Sequence, residues 1–82
     1  MFINKSKDGK NNICGKNIAV YRKQMKISQR ELADRLQLAG LDIDKNAVQR
    51  IESGQRFVTD IELIKISIVL EKSYENLLDE MN

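Results

Sequence analysis

Apolar residues recur along this chain at three- and four-residue intervals, and they do not alternate with polar ones long enough to make a strand. Ile18, Tyr21 and Met25 trace the first stripe and predict a helix from Gly15 to about Met25. Ser28-Gln29-Arg30-Glu31 has the form of a capping box, in which side chain and backbone satisfy each other's end groups. A second helix therefore starts there, with Leu32, Ala33 and Leu36 inside and Leu38 as its extension. Residues 37–43 form the connection, with Gly40 as the turn residue. Asp44 is a good N-cap for a third helix with Val48 and Ile51 on its inner face, and Gly54 lies just past its end. Thr59-Asp60-Ile61-Glu62 is another capping box and opens a fourth helix running to about Leu70. Ser73 caps a short fifth helix carrying Tyr74, Leu77 and Leu78. The expected fold class is all-α, a compact bundle of five short helices.

Composition narrows the class without changing that picture. Eighty-two residues, 41% apolar and 32% charged, fit one small soluble domain. No apolar run approaches the roughly 20 residues that span a membrane. The start, MFINKSKDGKNN, lacks the apolar block of a secretory signal and reads as a flexible polar and basic arm over residues 1–12, with the folded domain over 13–82. The single cysteine, Cys14, cannot pair internally, suits a reducing cytoplasm and reads as a packed thiol. Without histidine, and with one cysteine, common zinc sites and Ser-His or Cys-His catalysis are excluded. The glycines are scattered, so no phosphate loop is present. Helix capping and solvation account for the carboxylate pairs Asp42/Asp44 and Asp79/Glu80. The expectation is a binding protein rather than an enzyme, with no metal and no cofactor.

Charge suggests what is bound. Residues 1–30 hold eight Lys/Arg against one acid, whereas residues 31–82 hold six against eleven. A basic N-terminal third suits a polyanion, although an unevenly charged solvated surface would look the same. The third helix adds a sharper signal. Lys45, Asn46, Gln49 and Arg50 face away from Val48 and Ile51, and arginine can fork onto guanine as asparagine or glutamine can pair with adenine. Two short helices joined by a compact connection, with small Ala33 permitting close approach, form a helix-turn-helix whose second helix enters the DNA major groove.

At this point ISQRELADRL, NAVQRIESGQR and TDIELIKISIVLEKSYENLL resemble the Xre/Cro-type helix-turn-helix domain of phage repressors and bacterial regulators. The resemblance runs from about Cys14 to Leu78 and implies a lambda-repressor-like DNA-binding bundle. It implies base contacts from Lys45, Asn46, Ala47, Gln49 and Arg50, and a phosphate contact from Gln29 that also braces the recognition helix. It implies further phosphate contacts from Gln55 and Arg56, with Lys10, Lys16 and Lys23 as additional candidates. It also implies that Glu52, an awkward carboxylate near DNA, forms a structural ion pair with Arg22.

The chain departs from the family in three places. LQLAGLDID makes the turn between the motif helices longer than usual, and Leu38, Leu41 and Ile43 are expected to tuck it against the core. Lys26 stands where the family often has glycine, so it must either accept a left-handed backbone or end the first helix differently. Lys72 replaces an apolar residue and is expected to snorkel. The fourth helix carries Leu63, Ile66, Ser67 and Leu70 for the interior and a second stripe, Ile61, Ile64 and Ile68. An exposed apolar stripe on a small domain marks a partner surface, here a symmetric homodimer, unless the fifth helix or the arm covers it. The expected function is a cytoplasmic, sequence-specific repressor that binds a palindromic operator in double-stranded DNA as a dimer. The alternatives are the antitoxin of a toxin–antitoxin pair, the controller protein of a two-gene module, or a protein-interaction module on the same fold.

Overall fold

The helix boundaries follow from local chemistry at both ends of each helix. In the computed structural model, which describes residues 4–80, the helices are α1 (Cys14–Gln24), α2 (Gln29–Leu38), α3 (Lys45–Glu52), α4 (Asp60–Leu70) and α5 (Tyr74–Leu77). Ser28 Oγ accepts from the Glu31 N–H at 3.0 Å while the Glu31 carboxylate accepts from the Ser28 N–H at 3.1 Å. Thr59 and Glu62 repeat this box on α4. Asp44 accepts from the Ala47 N–H at 2.8 Å, and Ser73 from the Asn76 N–H at 3.1 Å. The start of α1 takes its cap from Asn12, whose Oδ1 accepts from the Gly15 N–H at 2.8 Å.

Four helices close on a residue with left-handed backbone: Lys26 (φ 60°), Gly40 (φ 97°), Gly54 (φ 82°) and Glu71 (φ 54°). At α3 the Gln55 N–H reaches back to the Arg50 carbonyl and the Gly54 N–H to Ile51, the paired bonds of a Schellman ending. The α1 end makes the same pair, Ile27 to Arg22 and Lys26 to Lys23. Lys26 therefore accepts the strained conformation rather than ending the helix differently.

Ile18, Leu32, Leu36, Val48, Ile51, Ile66 and Leu77 are the largest apolar side chains sealed inside, so every helix contributes to one core. Two polar features set its geometry. A Cβ at Gly15 would lie 2.0 Å from the Ile51 carbonyl oxygen, so only glycine lets α1 cross the end of α3 this closely. Asn17, 1% exposed, donates to the Leu77 and Asp79 carbonyls at 2.9 and 2.8 Å and so ties the end of α5 to α1. The Cys14 thiol is buried, and desolvation pushes its pKa up to about 11, as a packed thiol requires.

The long turn differs from expectation in one residue. Ile43 is buried and Leu41 packs against the core, and the Gln37 side chain donates to the Ile43 carbonyl at 2.8 Å. Leu38, however, is 90% exposed, because it occupies the last position of α2 on the side opposite Leu36. The segment before α1 is hydrogen-bonded at its end. The Asn11 N–H donates to the Gly54 carbonyl at 2.8 Å, its amide to the Gln55 carbonyl at 2.9 Å, and the Asn12 amide to the Ile51 and Arg56 carbonyls. These donors meet carbonyls at the end of α3 and in the following loop, and they attach the segment there. Residues 1–3 of the expected arm and 81–82 of the expected domain lie outside the described residues.

Candidate nucleic-acid interface

Helix α3 packs most closely against α2 and α1, which leaves one long face of its two turns outside. Val48 and Ile51 go inward, and Lys45, Asn46, Gln49 and Arg50 stay exposed. Among the described residues none of these four side chains makes a hydrogen bond or ion pair. From the first to the last they cover roughly 7.5 Å of helix, about two base-pair steps along DNA. Ala47 does not belong with them. It is 7% exposed and sits in the core, because its position, one before Val48 and four before Ile51, places the methyl on the inner stripe.

The one carboxylate on α3 is withdrawn from that face. Arg22 Nε donates to Glu52 Oε2 at 2.6 Å and its Nη2 to Oε1 at 3.1 Å, while Nη1 donates to the Ile27 carbonyl at 2.8 Å. Gln29, at the start of α2, donates its amide to Glu52 Oε1 at 3.0 Å. Glu52 thus locks α1, α2 and α3 together through three donors, and its charge is compensated before DNA could meet it. The ion pair is largely buried, with side chains 10% and 8% exposed. One amide hydrogen and the carbonyl of Gln29 are left over from this arrangement.

Beyond α3, Gln55 is exposed, whereas Arg56 is held. Its guanidinium donates to both Glu62 oxygens, at 3.0 and 2.9 Å. Burial alone would raise the Glu62 carboxyl, but hydrogen bonds from Arg56 and Thr59 and the Arg56 charge outweigh it and hold the pKa below its ordinary value. Lys16 and Lys23 are exposed on α1. Lys72 sets its ammonium 4.9 Å from the centre of the Tyr21 ring. On α4, Ile61, Ile64 and Ile68 are 65%, 45% and 61% exposed, and among the described residues neither α5 nor the segment before α1 covers them. Sequence reasoning missed Phe57, exposed in the loop before α4. No helical period marks it, because it lies outside the helix.

Among the described residues no group of three or more potential metal ligands occurs, and no helix is long and apolar enough to cross a membrane. A withdrawn carboxylate, an exposed polar face and a second helix bonded to the same carboxylate make up a helix-turn-helix. The chain matches the helix-turn-helix family model, of the Xre/Cro-like type, over residues 18–77, and it belongs to that family of DNA-binding transcriptional regulators. It is similar to the crystal structure of the restriction-modification controller protein C.AhdI from Aeromonas hydrophila. The identity is 28% and the TM-score 0.67, over 78% of this chain and 86% of that one. The comparison with curated proteins found no match.

Proposed function

We propose that the chain is a sequence-specific repressor that reads its operator through Lys45, Asn46, Gln49 and Arg50 in the major groove. The observation that carries this reading is that these four exposed side chains have no partner among the described residues, beside a Glu52 whose charge is already taken. Arg50 and Asn46 suit bidentate contacts to guanine and adenine, each worth roughly 1–3 kcal/mol of discrimination. Gln29 and Gln55 take phosphates on either side, with Lys16, and Arg56 reaches a phosphate from its place against Glu62. The protein acts by binding and not by catalysis, in the cytoplasm, where it represses by occupying a promoter.

The active unit is a symmetric homodimer formed through Ile61, Ile64 and Ile68, so the operator is a palindrome with half-sites about one helical turn, ~34 Å, apart. What supports the dimer is the exposure of all three isoleucines. Selection of bound sequences from a random duplex pool, followed by salt titration, tests the whole reading. A palindromic motif and a steep loss of affinity with salt are expected. A pool with no enriched motif, and binding indifferent to salt, would overturn it. A monomer at high micromolar concentration in analytical ultracentrifugation would remove the dimer alone.

The likeness to C.AhdI favours a second reading, a controller protein of a restriction–modification pair. The two separate by where the selected motif falls in the source genome: beside restriction and modification genes for a controller, elsewhere for a repressor of other genes. An antitoxin would instead copurify with a toxin partner.

A further inference from the structure

The proposed reading gives a phosphate to Lys16 on α1 but no task to the segment before that helix, although residues 5–16 hold Lys5, Lys7, Lys10 and Lys16 against the single acid Asp8. All four lysines are exposed, and none forms an ion pair among the described residues. The backbone around them is shaped. Ser6 and Lys10 face each other through the Ser6 N–H to Lys10 carbonyl bond at 2.9 Å, closed by a tight turn at Gly9 (φ 79°). The Asp8 carboxylate accepts from the Ser6 hydroxyl, which with backbone donors and the nearby Lys16 charge holds its pKa low, so Asp8 stays ionised as the one acid of the segment.

This small loop is fastened to the end of the recognition helix. Asn11 and Asn12 donate to the carbonyls of Ile51, Gly54, Gln55 and Arg56. The Lys10 stem lies on Gly54 so closely that a Cβ there would be 2.5 Å from Lys10 Cδ. The attachment does two things for an approaching polyanion. It occupies the Ile51 carbonyl at the negative end of the α3 dipole, and it lays Lys10 on Gly54 with Lys7 and Lys16 around the same cavity, which Asp79 and Glu80 also line. We infer that residues 5–16 form a lysine platform, docked on the C-terminal end of α3, that contacts DNA phosphates flanking the bases α3 reads. The inference rests on the DNA-reading role proposed above.

The test is a salt titration of the full chain on its selected operator duplex and on an unrelated duplex. The triple variant Lys5→Gln/Lys7→Gln/Lys10→Gln should keep the enriched motif and the thermal midpoint. Its slope of log affinity against log salt should shallow by about 2–3, at roughly 0.9 for each phosphate the protein no longer neutralises. Between 50 and 200 mM salt it should therefore lose roughly 40-fold less affinity than the parent. Asn11→Ala keeps every charge but loosens the docking, and its slope should shallow by at least about 1. An unchanged slope in the triple variant overturns the inference. A reduced slope in the triple variant with none in Asn11→Ala shows lysines acting without a platform, and overturns it equally. A changed motif would mean that the segment reads bases, which the inference denies. If the parent chain itself selects no duplex, the DNA-reading proposal fails first, and that result is distinct from all of these.

Discussion

Helices α3 and α4 each bury one face, but their outer faces are chemically opposite. On α3 the outside is Lys45, Asn46, Gln49 and Arg50, groups that water satisfies as well as any partner would. On α4 it is Ile61, Ile64 and Ile68, for which water is a poor neighbour, at roughly 1.5–3 kcal/mol per large aliphatic side chain left exposed. Each helix also carries a carboxylate in an end turn that is neutralised from outside the helix: Glu52 by Arg22 on α1, Glu62 by Arg56 in the preceding loop. The domain is complete without either outer face, so each is free to serve a partner. A polar face with no internal bonds suits a hydrogen-bonding surface such as base edges, and an apolar one suits another apolar surface.

The difference can be broken from the α4 side with the largest effect. The double variant Ile61→Glu/Ile68→Glu should fold within about 0.5 kcal/mol of the parent, since both side chains already face water. In a two-fold interface it brings like charges together, which costs several kcal/mol. Sedimentation should show only monomer, and operator affinity should fall with it. A double variant that still sediments as a dimer would move the interface elsewhere. Next in size is Glu52→Ala, which leaves the Arg22 guanidinium inside without its carboxylate and should cost about 3 kcal/mol in urea denaturation. Gln29 loses its brace in the same variant, so affinity should drop for every duplex and not for one motif. A loss confined to one base pair would mean that Glu52 acts on the reading face directly.

The parts of this architecture legible in the sequence are those governed by local chemistry. Ser28, Asp44, Thr59 and Ser73 announce their helices because a cap needs only the next three residues. The inner stripes of α2 and α3 follow from period, and the exposure of the four polar residues on α3 follows from the same period seen from outside. What the pattern could not reveal depends on residues far apart in the chain. Gly15 looks like a helix start until Ile51 is brought against it, and Asn17 looks like a surface residue until Leu77, 60 positions later, supplies its acceptor. The family resemblance puts Ala47 on the reading face, but Ala47 is buried in the core. Its methyl turns inward because Val48 and Ile51 fix how α3 rolls on the core. The same resemblance pairs Arg22 with Glu52, and the distance between them is 2.6 Å.

A smaller change sharpens the α3 side. Arg50→Ala removes one exposed side chain with no intramolecular partner among the described residues, so stability should stay within about 0.5 kcal/mol. Preference at a single base pair of each half-site should fall by roughly 1–3 kcal/mol in a repeated selection. A uniform loss across all sequences would reassign Arg50 to phosphate.

The smallest effect concerns how the helices end. The two motif helices, α2 and α3, close on Gly40 and Gly54, whereas the flanking α1 and α4 close on Lys26 and Glu71 in the same left-handed backbone. For a residue with a Cβ that conformation costs of order 1 kcal/mol, so Lys26→Gly should stabilise the domain by up to about 1 kcal/mol. Lys26 is exposed and lies in the basic third of the chain, so losing its charge could stabilise as well. Lys26→Ala separates the two causes, because it removes the same charge and keeps the Cβ. If strain is the cause, urea denaturation should show a gain for glycine and none for alanine. Equal gains would assign the effect to charge repulsion, and no gain in either would mean that the bonds from Lys26 and Ile27 to the α1 carbonyls already offset the strain.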